Sequence, residues 1–331
     1  MKKAILITGV AGFIGSRLAD WVIENKPEYD VIGIDNLFGG FIENVDKRVK
    51  FYKLDLSFDN IEDIFNENDI EYVFHFAAYA AEGLSPFIRK FNDMNNMVST
   101  DNIINSCVSH NVKRLVYTSS MSVYGYGSGK AFTEEDTPNP IDPYGVSKYA
   151  CELNIKSAGE QFGLDWCIVR PHNVYGVKQN IWDKYRNVLG IWMYQALNNK
   201  PMLIYGDGEQ TRAFSYIDDC VGCFWNAATE EIASKEIINL GGIHKCTINF
   251  ANDVFKDISG YDKVEHKEER YEVKHAVPTF LKSTQILGYE HKTSLRDGIS
   301  AMWEWAKNQP MRDQYKWENY EIIKGIYSYW K

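Results

Sequence analysis

The sequence predicts an α/β fold: a doubly wound parallel sheet with a smaller C-terminal lobe. Apolar runs of strand length alternate with segments of helical periodicity up to about residue 170, which is the pattern of a parallel sheet covered by helices. Glycines stand at Gly9, Gly12 and Gly15, between the first strand and the first helix. With 331 residues and 45% hydrophobic content, the chain is long and apolar enough to bury a large core.

The alternation of strands and helices also predicts the division of the chain. We expect residues 1–173, with segments returning at about 214–241, to form the sheet domain. Residues 174–213 and 242–331 read as mixed loops and short elements, and we expect them to form the smaller lobe. The sequence contains no repeat, low-complexity stretch or long linker.

The glycines lie where a phosphate-binding turn requires them. Residues 3–8 read as a buried strand and residues 13–22 as a helix. Without a side chain, Gly9 allows a tight turn, Gly12 lets the backbone approach a pyrophosphate, and Gly15 lets the helix pack on the strand. The unpaired amides at the helix N-terminus would then stabilise the phosphates.

An acidic residue follows at the spacing typical of dinucleotide binding. The second strand, residues 30–34, ends at Asp35, about twenty residues beyond the last glycine, where a carboxylate can bind the adenine ribose. Asn36 and Leu37 come next, and no arginine stands nearby in the sequence to neutralise a 2′-phosphate. NAD is therefore favoured over NADP. A glycine turn without a ligand is the alternative interpretation.

A tyrosine and a lysine four residues apart are the candidate reactive pair. Asp142 and Pro143 precede a periodic segment ending near Phe162, so Tyr144 and Lys148 should share one face of a helix. Lowering a tyrosine pKa from ~10 to ~7 requires about 4 kcal/mol of selective phenolate stabilisation. A cation at about 4 Å supplies that order at an effective dielectric constant of ~20. Lys148 and a positively charged nicotinamide ring can share this task, although an ordinary exposed pair has the same spacing.

Further ordered motifs indicate a known family. They are His75-Phe-Ala-Ala78, Ser119-Ser-Met-Ser-Val-Tyr-Gly125, Arg170-Pro-His-Asn-Val-Tyr-Gly176 and Tyr205-Gly-Asp-Gly-Glu-Gln-Thr-Arg212. With the glycines and the tyrosine–lysine pair, the chain resembles the extended short-chain dehydrogenase/reductase family, in particular nucleotide-sugar epimerases of the UDP-glucose/UDP-galactose 4-epimerase type. The resemblance spans nearly the whole chain and implies a Rossmann sheet with NAD as cofactor.

The resemblance also implies the catalytic roles. Ser120 corresponds to a hydroxyl that hydrogen-bonds the reacting sugar oxygen, Tyr144 to the acid/base and Lys148 to its electrostatic partner. Tyr144 would take the proton of the C4 hydroxyl while hydride leaves C4 for NAD. Rotation of the 4-keto sugar and return of the hydride would invert C4 without net redox change.

Alternative reactions on this scaffold differ at the residues after Ser120. The resembling 4,6-dehydratases carry an Asp-Glu pair where this chain has Met121 and Ser122, and the decarboxylases carry a glutamate at the second position. Epimerisation or a simple oxidation or reduction therefore remains. A uronic acid or heptose substrate, or a non-catalytic NAD(H)-binding regulator, would give a similar sequence.

The resemblance implies two sets of binding residues. The cofactor set is Gly9, Gly12, Phe13, Ile14, Gly15, Asp35, Asn36, Asp55, Leu56, Ala77, Ala78, Asn96, Tyr144 and Lys148. The substrate set is Ser120, Asn173, Asn187, Val188, Leu203, Tyr205, Arg212, Arg270 and Ala276. In the second set, Leu203 and Tyr205 would flank a uracil, because a planar base prefers an apolar and aromatic slot.

Two substrate positions bear on specificity and on phosphate binding. Arg212 and Arg270 are candidate diphosphate ligands, because a guanidinium binds phosphate oxygens bidentately. Arg270 stands two residues before Glu272, whereas the family usually has a spacing of three. Ala276 corresponds to a position that holds either tyrosine or a small residue beside the C2 substituent of the sugar. A small residue there leaves room for an N-acetyl group, so we expect UDP-N-acetylglucosamine to be accepted as well as UDP-glucose.

Composition limits the other partners. The net charge of −9 argues against nucleic acid, and no stretch approaches the ~20 apolar residues of a membrane span, so we expect a cytoplasmic protein. We expect no metal, because the histidines are scattered and Cys220 and Cys223 lie in an apolar run. The resemblance implies a homodimer through the helices at 92–111 and 144–162. The aromatic C-terminal tail should pack on the substrate lobe or contribute a dimer contact.

Overall fold

The computed structural model describes residues 2–127 and 130–330. The strands are β1 (Ala4–Thr8), β2 (Asp30–Asp35), β3 (Lys50–Lys53), β4 (Ile70–His75), β5 (Arg114–Thr118), β6 (Trp166–His172), β7 (Val174–Tyr175), β8 (Met202–Tyr205), β9 (Thr211–Ala213), β10 (Ser215–Tyr216), β11 (Glu236–Gly241), β12 (Lys245–Thr247), β13 (Val264–Lys267) and β14 (His275–Ala276). The α-helices are α1 (Phe13–Asn25), α2 (Glu62–Glu67), α3 (Arg89–Asp93), α4 (Ser99–Ser109), α5 (Pro143–Phe162), α6 (Val188–Leu197), α7 (Ile217–Thr229), α8 (Ile248–Ser259), α9 (Leu281–Leu287) and α10 (Leu295–Lys307).

Seven parallel strands form the central sheet, in the order β11-β6-β5-β4-β1-β2-β3. The order runs outward in both directions from β1, which is the doubly wound arrangement that the sequence predicts. Both faces are buried. Successive side chains of β1 point to opposite sides, so Ile5 packs with Leu18 of α1 and Phe224 of α7, whereas Leu6 packs on the face covered by α2, α4 and α5. The predicted fold class is confirmed.

The smaller lobe packs around large aromatic side chains. Trp192 of α6, Phe255 of α8 and Trp303 of α10 are buried together, and the last two rings lie 5.3 Å apart. The parallel pair β8/β13 and the three-stranded sheet β12-β9-β14 complete this part of the molecule. The division into domains at the residues given above stays a prediction, although the returning strand β11 does pair with β6.

The C-terminal segment, residues 308–330, runs beyond α10 and contacts more than the smaller lobe. Trp317 packs 4.5 Å from Phe91, and Trp330 packs 5.8 Å from Phe87, which both belong to the sheet domain. The segment therefore extends from the smaller lobe to the sheet domain, where its aromatic side chains pack against apolar residues. Over residues 2–127 and 130–330, we find no helix with the length and apolarity that a membrane span requires.

Candidate active site

A cavity of about 650 Å³ opens at the carboxyl ends of the central strands, where open α/β sheets bind their ligands. Every residue of the two predicted binding sets lines this cavity except Asn96. The cofactor residues lie towards β1 and β2, and the substrate residues come from α6, β8, β9 and the 270–276 segment. The fold thus brings together residues that lie up to 267 positions apart, from Gly9 to Ala276.

The glycine turn has the geometry that the sequence predicts. Gly9 has a left-handed backbone, with φ at +69°, and a Cβ there would lie 2.8 Å from the backbone nitrogen of Ala77. A Cβ on Gly15 would lie 2.2 Å from the carbonyl oxygen of Gly9. Gly12 precedes α1, whose first turn has neither a side-chain cap nor an acidic residue. The amides that begin α1 are therefore available to an anion, and this turn suits a dinucleotide pyrophosphate.

Substituting Gly15 by alanine should strongly reduce NAD binding. The added Cβ would collide with a backbone oxygen of the same turn, so the turn must open, although alanine is the better helix former. Gly222→Ala is the matched control, because its Cβ meets only Trp21, at 3.8 Å. After incubation with NAD and desalting, we expect Gly15→Ala to retain far less NAD than the unchanged protein and to melt at lower temperature, whereas Gly222→Ala should match the unchanged protein in both. Equal NAD content in the two variants would contradict this role.

Asp35 is the residue predicted to bind the adenine ribose of the cofactor. Its carboxylate accepts hydrogen bonds from the backbone nitrogens of Leu37 at 2.7 Å and Ala11 at 3.0 Å, which fix it beside the glycine turn. Burial raises the pKa of Asp35, and these hydrogen bonds act in the opposite direction. Asn36 donates to Asp55 at 3.0 Å, so two predicted cofactor residues support each other.

An arginine from a distant part of the chain reaches this end of the site. The sequence near Asp35 contains no arginine, but Arg186 reaches the same region: its positive charge acts to lower the pKa of Asp35, and a Cβ on Gly39 would lie 2.5 Å from it. The Nε atom of Arg186 lies 3.0 Å from Asp183, and the guanidinium stacks 4.9 Å from the Tyr79 ring. The preference for NAD is unaffected, because Asp183 already offsets the charge of Arg186 and Asp35 remains at the ribose position.

The three predicted catalytic residues come from adjacent elements. Ser120 follows β5, and its hydroxyl accepts a hydrogen bond from the backbone nitrogen of Ser122 at 3.2 Å. Tyr144 and Lys148 lie on the first turns of α5, which Asp142 caps by accepting from Gly145 at 2.9 Å. All three catalytic side chains are buried at the cavity wall.

Lys148 is held close to the tyrosine. Its Nζ atom donates to the carbonyl oxygen of Thr118 at 2.7 Å and lies 6.0 Å from the centroid of the Tyr144 ring. Burial lowers the pKa of Lys148 to about 8, so the ammonium still predominates at neutral pH. The residue therefore presents a positive charge next to the phenol.

The protein residues alone do not lower the pKa of Tyr144. Burial raises it, the negative charge of Glu82 raises it further, and the hydrogen bond with Ser120 acts in the opposite direction. Desolvation of the phenolate therefore exceeds the stabilisation that the polypeptide supplies. A second positive charge next to the phenol, such as an oxidised nicotinamide ring, would be needed to make Tyr144 a base at neutral pH.

A buried ion pair fixes the strand end and the helix that carry these residues. Arg170 of β6 binds Glu152 of α5 through two nitrogens, at 2.8 and 2.6 Å, and both side chains are almost fully buried. Ser119 also donates to Glu152, and Arg170 donates to the Tyr124 hydroxyl at 2.7 Å. The network therefore links β5, β6 and α5 immediately behind Ser120 and Tyr144.

The predicted substrate residues form the other side of the cavity. Asn187 caps α6 by accepting from the backbone nitrogen of Leu189 at 3.0 Å, so the helix begins at Val188. Arg212 forms an ion pair with Glu272 at 3.2 Å. Ala276 of β14 pairs with Arg212 of β9. The small side chain of Ala276 is 1% exposed and lies in the cavity wall.

Asn96 lies behind the cavity wall. Its side chain accepts from the backbone nitrogen of Tyr79 at 2.9 Å and donates to Asn92 at 2.9 Å. A π-helical turn, Met94–Val98, separates α3 from α4. The wider turn changes the helical phase, and therefore changes which side chains point towards the cavity. Asn95 and Ser99 line the cavity at this place.

Several cavity residues were not assigned a role from the sequence. Glu82 is open to the cavity yet surrounded by protein, and desolvation, with the negative charge of Asp142, raises its pKa to about 7. Its position in the loop after His75-Phe-Ala-Ala78 was the only signal in the sequence. Lys178, Gln210 and Tyr327 also line the cavity. Gln210 lies within the Tyr205–Arg212 motif, whereas nothing in the local sequence marks Lys178 or Tyr327. No group of three or more potential metal ligands occurs within the described ranges.

Comparisons with known proteins agree with this geometry. The model of the NAD dependent epimerase/dehydratase family matches residues 5–241. The UDP-glucose 4-epimerase of Thermotoga maritima, solved with UDP-glucose, is 32% identical, covers 92% of this chain and 98% of its own, and has a TM-score of 0.87.

Two further solved structures carry other sugars. The UDP-glucuronic acid 4-epimerase of Bacillus cereus, solved with UDP-glucuronic acid and NAD, is 30% identical, covers 92% of this chain and 99% of its own, and has a TM-score of 0.85. The UDP-N-acetylglucosamine 4-epimerase of Methanobrevibacter ruminantium, solved with UDP-N-acetylmuramic acid, is 29% identical, with coverage of 92% and 98% and a TM-score of 0.85. The resemblance inferred from the motifs and the choice of NAD are confirmed. The chain belongs to the NAD-dependent epimerase/dehydratase family.

Proposed function

We propose that the protein is a UDP-hexose 4-epimerase that interconverts UDP-glucose and UDP-galactose and also accepts UDP-N-acetylglucosamine. The observation that carries the proposal is the convergence of Ser120, Tyr144 and Lys148 on one cavity that also contains the glycine turn. Three solved relatives that share this fold are 4-epimerases named for different UDP-sugars, so the fold supports the reaction class and the cavity residues must select the sugar.

The residues present suit a bound NAD. The turn at Gly9 and Gly12 would hold the pyrophosphate and Asp35 the adenine ribose. When bound, NAD supplies the acceptor and donor for the hydrogen on the sugar C4. Tyr144 would remove and return the proton of the C4 hydroxyl, Ser120 would hydrogen-bond that oxygen, and Lys148 would stabilise the phenolate.

The residues after Ser120 favour epimerisation over loss of water. Dehydration needs an acid and a base near C5 and C6, and Met121 and Ser122 supply neither at neutral pH. A uronic acid is less favoured as the substrate, because its carboxylate would enter a cavity that already contains Glu82 and Asp142. A neutral hexose adds no further negative charge there.

The proposed activity is tested by incubating the purified protein with UDP-glucose and, separately, with UDP-N-acetylglucosamine, and following the anomeric and H4 proton signals by NMR. We expect galacto-type signals from both sugars without net formation of NADH. Accumulation of NADH in proportion to product would instead indicate an oxidoreductase that releases its keto product. No reaction with either sugar, together with turnover of UDP-glucuronic acid, would favour the uronic acid epimerase.

Ala276 is the residue that we expect to admit the N-acetyl group. In Ala276→Tyr, turnover of UDP-N-acetylglucosamine should fall at least about tenfold, because the ring would occupy space beside C2, while UDP-glucose turnover changes little. Ala276→Ser is the control, since one added atom leaves most of that space. Parallel progress curves with the two sugars measure the effect. An equal loss on both sugars would exclude Ala276 as a specificity determinant.

We also infer a homodimer, formed through α4 and α5 as the resemblance implies. Val146 and Leu153, seven residues apart on α5, are each 50% exposed, which supports an apolar contact on this face. Light scattering on the eluting protein should give twice the mass of 38.2 kDa, and a monomer mass at micromolar concentration would contradict the inference. The cytoplasmic location stays a prediction.

A further inference from the structure

The C-terminal segment, residues 308–330, reaches the cavity wall at Tyr327. It is joined to the sheet domain by Glu321, whose carboxylate accepts hydrogen bonds from the backbone nitrogens of Lys90 and Phe91 at 2.8 and 2.9 Å. Arg312 forms an ion pair with Glu43 at 2.9 Å near the cofactor half of the cavity.

The end of the segment encloses a cavity arginine. The guanidinium carbon of Arg270 stacks 3.4 Å from the centroid of the Tyr205 ring, so it covers one face of that ring. The Nε atom donates to the Tyr329 hydroxyl at 3.3 Å, and the Trp330 ring lies 5.3 Å away. Tyr327 accepts a hydrogen bond from the backbone nitrogen next to this arginine, that of Tyr271, at 3.1 Å. Aromatic and hydroxyl groups of the tail therefore hold the arginine in place.

Arg270 retains donors without acceptors. Its Nη2 atom is buried and makes no hydrogen bond within residues 2–127 and 130–330. A buried guanidinium nitrogen without a partner is costly, and an anion with several oxygens would satisfy it. Arg212 lines the same side of the cavity, but Glu272 already binds its guanidinium. Arg270 is therefore the cation whose free donors best fit a diphosphate.

We propose that the C-terminal segment is a positioning element of the nucleotide site: Tyr329 and Trp330 hold Arg270 on Tyr205 so that its guanidinium, which lines the cavity, binds the diphosphate of the nucleotide sugar. The inference rests on the proposed function, which identifies the ligand as a nucleotide sugar. A segment that only packed against the protein would not change substrate affinity, whereas a positioning element contributes to it. Tyr329 acts through Arg270 and does not itself take part in the reaction.

UDP is the probe, and calorimetric titration into the full-length protein measures its affinity. Tyr329→Phe removes only the hydroxyl that holds Arg270, and we expect UDP to bind about fivefold more weakly, the effect of one lost hydrogen bond. For the nucleotide sugar, KM should rise by the same factor with kcat unchanged. Tyr320→Phe is the control, because it removes another hydroxyl of the tail, one that bonds the Tyr185 hydroxyl at 2.9 Å and makes no hydrogen bond with Arg270 among the described residues. It should leave UDP affinity unchanged.

A double-mutant cycle separates positioning from general stabilisation. In an Arg270→Gln background, Tyr329→Phe should cause no further loss of UDP affinity, because the residue on which it acts is gone. Three results would overturn the inference. Tyr329→Phe could leave UDP affinity unchanged, it could lose no more UDP affinity than Tyr320→Phe, or its loss of UDP affinity could add fully to that of Arg270→Gln in the cycle. Tail-dependent UDP binding by a protein that epimerises no sugar would instead contradict the proposed function and leave this inference standing.

Discussion

Tyr144→Phe is expected to lower kcat for UDP-glucose by about 10² to 10⁴-fold, the usual contribution of a general acid/base. The ring and its packing stay, so bound NAD and UDP affinity should remain near those of the unchanged protein. Tyr126→Phe is the control, because Tyr126 is 49% exposed and does not line the cavity. Initial rates and the NAD content of each variant give the comparison.

This substitution also separates an enzyme from a non-catalytic NAD(H)-binding protein. A regulator that only binds the dinucleotide would show the same behaviour in Tyr144→Phe and in the unchanged protein. Retention of more than about a tenth of the original kcat would place the acid/base elsewhere in the cavity. Glu82 would be the first alternative to examine, because its pKa of about 7 suits proton transfer.

Arg170→Met is expected to reduce the free energy of unfolding by about 3–5 kcal/mol, because it leaves the Glu152 carboxylate buried without its partner. It also removes the hydrogen bond that Arg170 donates to the Tyr124 hydroxyl and should loosen the turn Met121–Tyr124 that follows Ser120, so activity should fall at temperatures where the protein is still folded. Urea denaturation followed by circular dichroism measures the stability.

Two controls test whether the burial of the ion pair causes the loss of stability in Arg170→Met. Arg296→Met removes a surface ion pair with Asp257, where both side chains are more than half exposed, and should cost at most about 1 kcal/mol. Replacing both Arg170 and Glu152 by methionine should restore much of the stability lost in Arg170→Met, because no unpaired charge remains. If Arg170→Met loses no more free energy of unfolding than Arg296→Met does, the buried ion pair contributes little to stability.

The parts of the site that are local in the chain were predictable from the sequence. Gly9 and Gly15 act within one turn, and the spacing of Tyr144 and Lys148 follows from the helical repeat. These features need no knowledge of distant contacts. The boundaries of the first strands and of α5 follow from the same local signals: apolar runs for the strands, and Asp142 with Pro143 at the start of the helix.

Contacts between distant segments were not predictable in this way. Arg186 approaches Asp35 because the loop before α6 folds over the cofactor half of the cavity. The raised pKa of Tyr144 depends on burial and on Glu82, sixty-two positions earlier. Asn96 lies in a π-helical turn, which no periodicity in the sequence marks. Tyr327 reaches the cavity wall from the C-terminal segment, far along the chain from the other lining residues.

The central claim is that the hydrogen at C4 leaves and returns within the same site. UDP-glucose labelled with deuterium at C4 tests it directly, with mass spectrometry and NMR of the UDP-galactose formed. We predict that the product retains the deuterium at C4, with no loss to solvent and no free NADH, because Tyr144 exchanges only the hydroxyl proton. Product that has lost deuterium from C4, or label recovered in released NADH, would contradict the account.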